Sequence, residues 1–398
     1  MSFQKFIAAV IFCFCLLWLS NAWSSSLPGS TRSPLLPSLP PVEAETVIDT
    51  KSGAELGSHA AASTPASLHA KASCVLDADS GRILYANHAD DPMPMASTTK
   101  IMTCLLALEN GQADNTVSVS SYAASMPDVQ LNIRAGESYR LGDLLYSLML
   151  ESHNDSAVAI AEHIGGSVEN FAAMMNEKAR ELGCMNTHFV TPNGLDDKAH
   201  YTTARELCLI ASCAMQNKTF RSIIATPSYS FHSIDQKRSF TVRNHDAFLT
   251  SYPGALGIKT GFTGNAGYCF CGAARRNGRT LICAVLACGW PPNKSYKWQD
   301  TTKLMNYGFD GFETVSVPVR QTCLSVPAAH SPKRTLTLNR SSTSALTYPL
   351  AKDDVVETTL TLPDYVAAPV RSGDIIGYEK YAVNGTCIAQ IPLTASSG

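Results

Sequence analysis

The stretch Met95-Ala96-Ser97-Thr98-Thr99-Lys100-Ile101-Met102-Thr103, continuing as CLLALEN to Asn110, decides how the rest of the chain is read. Its apolar residues keep a helical period and the run stops at Gly111, so a helix is expected to start close to Ser97. Ser97 and Lys100 form an S-x-x-K pattern, which places them one turn apart on one helix face, with the amine in reach of the hydroxyl. Serine is a poor nucleophile without a neighbouring base. Lysine serves as that base only when burial or another cation lowers its pKa. Taken alone the pattern is weak, because roughly one S-x-x-K arises by chance in a chain of this size.

Two more patterns occur in order along the chain. Ser152-His153-Asn154, an S-x-N, comes directly after LGDLLYSLMLE. A hydroxyl and an amide at that spacing can line a cleft, one relaying protons and the other holding a substrate carbonyl; the ordinary alternative is a helix cap built from Ser, Asn and Asp155. Lys259-Thr260-Gly261 lies on an expected strand preceded by Gly257 and Ile258. A strand edge can pair with an extended peptide. Lys259 and Thr260 can hold a terminal carboxylate, and Gly261 permits close backbone approach. The alternative there is a surface strand with a turn.

On either side of these motifs the chain has clear periodicity. SCVLDADSGRILYAN reads as two strands around the turn Asp77 to Gly81. Helical patterns cover Leu141 to Glu151, Asp155 to Ile164, Val168 to Leu182 with Gly183 as a stop, and Thr203 to Gln216. Strands return after Tyr252, and Asn277-Gly278 between apolar stretches marks a hairpin. After Phe312 the chain alternates as TVSVPV, RTLTL and VVETTLTL, with Gly373 and a second Asn-Gly at Asn384-Gly385, which suggests a small all-β domain. Trp23 to Ala70 is rich in Ser, Pro and Ala, keeps no hydrophobic period, and reads as a disordered tether.

Lys5, the apolar run Phe6 to Leu19 and the small residues of Ser20-Asn21-Ala22 have the layout of a secretory signal, with an uncleaved signal anchor as the alternative. The expected organisation is therefore a signal at 1–22, a tether at 23–70, a catalytic domain at 71–311 and a β domain at 312–394. A net charge of −2 with no basic stripe excludes an obvious nucleic-acid binder. Of the 13 cysteines, Cys13 and Cys15 fall in the signal; the others sit mostly in apolar surroundings such as IMTCLLALE and ELCLIASCAM, lack disulfide spacing, and read as small buried hydrophobes. No C-x-x-C pair and no H-E-x-x-H occurs, so no metal site is expected.

S-x-x-K opening a helix, S-x-N about 50 residues on and K-T-G on a strand about 100 further match the set of penicillin-binding proteins and class A β-lactamases. Beyond these motifs, MASTTKIMT at 95–103, ESHNDSAVAIAEHIGGS at 151–167, FVTPNGLDD and HYTTARELC between 189 and 208, and PGALGIKTGFTGNAGYC at 253–269 resemble the low-molecular-weight D-alanyl-D-alanine carboxypeptidases with a C-terminal β domain. The resemblance runs from about Ala72 to Leu393. It implies an α/β (α+β) fold: an antiparallel sheet flanked by helices, a helical insert carrying S-x-N, and a small all-β domain that lifts the site from a membrane. It also implies that Ser97 attacks the carbonyl between two terminal D-alanines of peptidoglycan stem peptides, with Lys100 as general base. Ser152 would pass the proton to the leaving amine and help deacylation, while Asn154 orients the substrate. Lys259 would depress the Lys100 pKa, Thr260 bind the carboxylate, Gly261 admit the substrate, and the backbone N–H groups of Ser97 and Phe262 form the oxyanion hole. β-Lactams would inhibit covalently, no metal or cofactor is required, and the enzyme would act outside the cytoplasm, with the membrane anchor common in the group lacking here.

His153 departs from the small residue usual at its position: the expectation is a side chain pointing away, the alternative a narrower or pH-sensitive cleft. Lys297 is the nearest candidate for the basic residue that assists carboxylate binding in relatives. A β-lactamase would need a glutamate on a loop between the second and third motifs, whereas Glu181 and Glu206 fall in helical patterns. A non-catalytic wall-binding homologue is the remaining rival, disfavoured because all the motif side chains are present.

Overall fold

Alternate residues of SCVLD and TLICAVL bury against opposite faces of one sheet, which is why both segments read as continuous apolar runs. Cys74, Leu76, Ile282 and Ala284 join a core with Ile101, Leu207 and Ile210, while Val75, Leu281, Cys283 and Val285 join another with Leu304 and Met305. The computed structural model describes residues 44–52, 64–127, 129–317, 324–330, 334–340 and 346–396. The expected signal at 1–22 lies outside them.

The sheet between those cores contains β2 (Ala72–Asp77), β3 (Ile83–Asn87), β4 (Ala255–Thr263), β5 (Gly267–Arg276) and β6 (Arg279–Leu286), in the order β3-β2-β6-β5-β4. All neighbours are antiparallel. Asn277 and Gly278 both take positive φ between β5 and β6, the conformation of a tight hairpin. At the β2–β3 turn Asp77 Oδ1 accepts from Ser80 N and Ser80 Oγ.

On one face lie α1 (Lys100–Asn110), α2 (Leu141–Tyr146), α3 (Asn154–Gly165), α4 (Val168–Glu181), α5 (Ala204–Gln216) and α6 (Lys218–Ala225). The first eight residues of α1, Lys100 to Ala107, are all buried, so it is the central helix of this layer. After the short α7 (Phe248–Ser251), α8 (Tyr296–Asp310) covers the other face, where Gly308 lets it approach: a Cβ there would lie 2.7 Å from Leu281 Cδ1. Neither α6 nor α8, nor the hairpin of Ser228–His232 with Ser239–Arg243, was legible as an element in the sequence.

A second, seven-stranded sheet gathers β1 (Ala44–Ser52), β7 (Leu324–Ala329), β8 (Thr335–Arg340), β9 (Val355–Pro363), β10 (Val366–Ala367), β11 (Ile375–Val383) and β12 (Thr386–Ala395), in the order β1-β9-β11-β12-β8-β7-β10. Asn384 and Gly385, both at positive φ, turn β11 into β12. β1 corrects the expected tether: residues 44–52 pair antiparallel with β9 along their whole length, Ala44 opposite Pro363 and Ser52 opposite Val355. The segment AETVIDTKS has β-branched residues enough to extend, and an open edge strand supplies the backbone partners.

Ten described cysteines are free thiols and eight of them are buried, in keeping with their apolar sequence surroundings.

Candidate active site

The turn that carries Ser97 is built before α1 begins. Residues Ala96–Thr99 form a 3-10 turn that runs into the helix, with Ala96 at φ 48°. A non-glycine residue there is strained and is held by its surroundings. Thr98 Oγ1 donates to Met95 O at 2.6 Å and Thr99 Oγ1 to Ala96 O at 2.8 Å, so the two threonines of S-T-T-K stitch the turn that carries Ser97.

Lys100 is fully buried at the head of α1. Its Nζ lies 3.0 Å from Ser97 Oγ, 2.9 Å from Asn154 Oδ1 and 2.6 Å from the Asn193 carbonyl. Burial first, and then the charge of Lys259, pull its pKa well below the ordinary lysine value, against Asp155. A neutral amine has two N–H groups and one lone pair. With Asn154 Oδ1 and Asn193 O accepting the two hydrogens, the lone pair is left for the Ser97 hydroxyl proton.

Asn154 opens α3. Its backbone N–H donates to Val129 O and its Nδ2 to Pro127 O, so the amide oxygen is turned to Lys100. The expected helix through Glu151 ends differently: α2 stops at Tyr146 and Ser147–Glu151 form a single π turn. Ser152 then sits in the left-handed region at φ 70°, its Oγ buried and without a hydrogen-bond partner among the described residues. His153 is turned into the protein, 4% exposed, on Ser147 and Glu151.

K-T-G lies on β4, the edge strand of the five-stranded sheet next to the turn that carries Ser97. A Cβ on Gly261 would come within 2.9 Å of Ser97 N, so only glycine allows this approach. Lys259 is buried and its pKa is pushed down to about 8 by burial, with Asp246 opposing. Thr260 is half-buried, and Phe262 is 43% exposed with its ring against Tyr268. Lys297 is buried, donates to Lys294 O at 2.7 Å, and lies over the Tyr268 and Trp298 rings.

Five contributors had no assigned role in the sequence: Thr103, Asn193, Gly194, His200 and Asp246. The Asn193 carbonyl is the third neighbour of Lys100. The loop that carries it is tied down by Thr103 Oγ1 on Pro192 O, and by His200, whose Nδ1 accepts from Val190 N and whose Nε2 meets Thr99 Oγ1 at 2.8 Å. Gly194 of the same loop packs on the turn that carries Ser97, where a Cβ would overlap the Ala96 carbonyl oxygen. Asp246 is buried, and its Oδ2 has no partner among the described residues. The stretch FVTPNGLDD entered the sequence reading only as part of a resemblance, because a backbone carbonyl has no residue-type signature. Glu206 is engaged by Asn186 N and Thr187 Oγ1, and Glu181 lies 3.6 Å from Lys178, so neither is the loop glutamate of a β-lactamase. Among the described residues no group of three His, Cys, Asp or Glu is placed to hold a metal ion.

Comparison with known proteins agrees with this geometry. Residues 58–289, more than half the chain, match the peptidase S11 family, described as D-alanyl-D-alanine carboxypeptidase. The chain is 30% identical over 334 residues to D-alanyl-D-alanine carboxypeptidase DacF of Bacillus subtilis, covering 82% of this chain and 85% of that one. It is 37% identical over 288 residues to a D-alanyl-D-alanine carboxypeptidase of Streptomyces sp. strain K15, covering 67% and 97%. The crystal structure of the Streptomyces K15 DD-transpeptidase superposes with a TM-score of 0.59 at 35% identity, over 62% of this chain and 99% of that one. D-alanyl-D-alanine carboxypeptidase DacD of Francisella tularensis, at 24% identity, shares the fold over 87% of this chain and 98% of its own, with a TM-score of 0.68. With Ser97 and Asn154 on one buried lysine and the K-T-G strand packed against the turn that carries Ser97, the chain belongs to the D-alanyl-D-alanine carboxypeptidase family and is a serine-type peptidase of that class.

Proposed function

We propose that this enzyme removes the terminal D-alanine from the pentapeptide stems of peptidoglycan through an ester on Ser97. Neutral Lys100 takes the Ser97 proton as Oγ attacks the carbonyl between the two terminal D-alanines. The oxyanion is received by the backbone N–H groups of Ser97 and Phe262, donors whose loss typically costs about a hundredfold or more in rate. The proton passes by way of Ser152 to the leaving nitrogen, the C–N bond breaks, and D-alanine departs. Water then attacks the ester, gives its proton back through the same groups, and releases the tetrapeptide and free Ser97. Asn154 holds Lys100 and orients the substrate. The peptide lies along the free edge of β4, its terminal carboxylate between Lys259 and Thr260, with Gly261 leaving room for the chain.

The observation that carries this reading is the three-way placement of Lys100 Nζ among Ser97 Oγ, Asn154 Oδ1 and the Asn193 carbonyl. The N-terminal apolar run and the substrate class both support a place outside the cytoplasm, with peptidoglycan peptides and β-lactams as ligands. Intact mass after incubation with labelled penicillin tests it. A stable adduct on the wild type, absent in Ser97→Ala, is expected, together with D-alanine release that the same substitution abolishes. Unchanged release in folded Ser97→Ala would sink the assignment. No adduct and no turnover would favour a non-catalytic wall-binding protein, and rapid drug turnover a β-lactamase.

A further inference from the structure

The imidazole of His153 has both ring nitrogens engaged around the residue that precedes it. Nδ1 lies 2.8 Å from Ser147 Oγ, and Nε2 lies 3.2 Å from Glu151 Oε2. Ser147 Oγ is in turn 2.7 Å from Ser156 Oγ, and Glu151 Oε1 accepts from Arg243 N at 2.8 Å. Ser147 and Glu151 are the first and last residues of the π turn that delivers Ser152, while Ser156 is in the first turn of α3. One ring therefore ties the segment before Ser152 to the helix after it.

The donors fall in a single order. Nε2 faces a carboxylate and carries the proton, so Nδ1 accepts from the Ser147 hydroxyl, whose oxygen accepts from Ser156. The ring pKa, pushed down to about 4 by burial, with Glu151 opposing and Lys259 adding, agrees with a neutral imidazole having one donor and one acceptor. His153 makes no side-chain cap to α3, so its ring serves these contacts instead.

Ser152 needs such support. Its left-handed backbone at φ 70° and ψ 29° is strained for a non-glycine residue. Its hydroxyl is buried with no partner among the described residues to hold it. We infer that His153 is a positioning residue, a clamp between the π turn and α3 that keeps Ser152 in its strained conformation with the hydroxyl free for the reaction. This rests on the proton-relay role proposed for Ser152.

The test compares the full chain with His153→Ala, His153→Asn and Ser147→Ala, each first shown to be folded by its melting curve. Asn Oδ1 can accept from Ser147 where Nδ1 does, so it restores one arm of the clamp. His153→Ala is expected to lower kcat for D-alanine release by about tenfold or more with KM changed less than about twofold, since the lost contacts act on the relay group rather than on substrate binding. Asparagine should recover most of that loss. Ser147→Ala in the His153→Ala background should add little, because both changes open the same clamp. Amide exchange should quicken at Glu151 to Asn154 in the alanine variant and stay unchanged elsewhere.

Unchanged exchange at these amides would overturn the clamp, and quickened exchange with kcat intact would overturn its link to the reaction. A loss that asparagine does not rescue, with KM raised in parallel, would also overturn it. Wild-type protein that neither acylates nor releases D-alanine sinks the function instead, and with it the catalytic meaning of the clamp. The exchange data still decide whether the clamp exists.

Discussion

Lys100 and Lys259 are both buried amines within one site, yet the proposed reaction asks opposite things of them. Lys100 must be neutral to take a proton, and its pKa is lowered by its own burial and by Lys259. Lys259 must be charged to attract a carboxylate, and with a pKa of about 8 it keeps that charge only to mildly alkaline pH, aided by Asp246. The protonated form binds, so raising pH through that value removes it. We expect kcat/KM to fall above about pH 8 with a slope near one log unit per pH unit. Asp246→Asn removes the negative charge that raises the Lys259 pKa, so the alkaline limb should move to lower pH. A pH–rate series on a substrate ending in D-alanyl-D-alanine reads both limbs, and an unmoved alkaline limb in Asp246→Asn would separate Asp246 from the site.

Among the elements, α1 and β4 bring the chemistry together, and β1 shows how a weakly patterned segment acquires structure. The nine residues of β1 pair in register with β9, which would otherwise present an open edge. Removing residues before 53 should therefore leave penicillin acylation within about twofold while lowering the melting temperature by about 4 °C or more. The exposed β9 edge should also promote self-association, readable by light scattering. A shortened protein with the full-length melting temperature and no self-association would show that β1 adds nothing to the sheet.

Across the molecule as a whole, a few charged contacts join the catalytic sheet to the C-terminal β region. Arg82, after the β2–β3 turn, makes a two-pronged ion pair with Asp354 at 2.6 and 2.9 Å and also donates to Pro349 O. Asp354 accepts in addition from Ala351 N and Asn384 Nδ2, and Arg279 links Asp77 with the Phe312 carbonyl. Arg82→Ala takes the ion-pair partner from Asp354, which keeps its Ala351 and Asn384 hydrogen bonds, a change that costs on the order of 3 kcal/mol. The expected outcome is a lower first unfolding transition separated from a second in calorimetry, with D-alanine release at 25 °C little altered. A single transition at the wild-type temperature would contradict it.

Turn chemistry, helical period and i,i+3 spacing act over a few residues, so the hairpins at Asp77–Gly81, Asn277-Gly278 and Asn384-Gly385, the helix after Ser97 and the pairing of Ser97 with Lys100 could be read from the sequence alone. Asn277-Gly278, Gly111 and the S-x-x-K spacing each declare themselves locally. The remainder came only with tertiary packing. Asn154 and Asn193 reach Lys100 across 54 and 93 residues of chain. The π turn under Ser152 is held by contacts from Arg243 and His153, and β1 exists through pairing with a strand near the other end of the chain. The lysine pKa values come from burial, which is set only when the layers close. A dry, crowded environment and a backbone carbonyl in the right place are properties of packing, and no short stretch of residues encodes them.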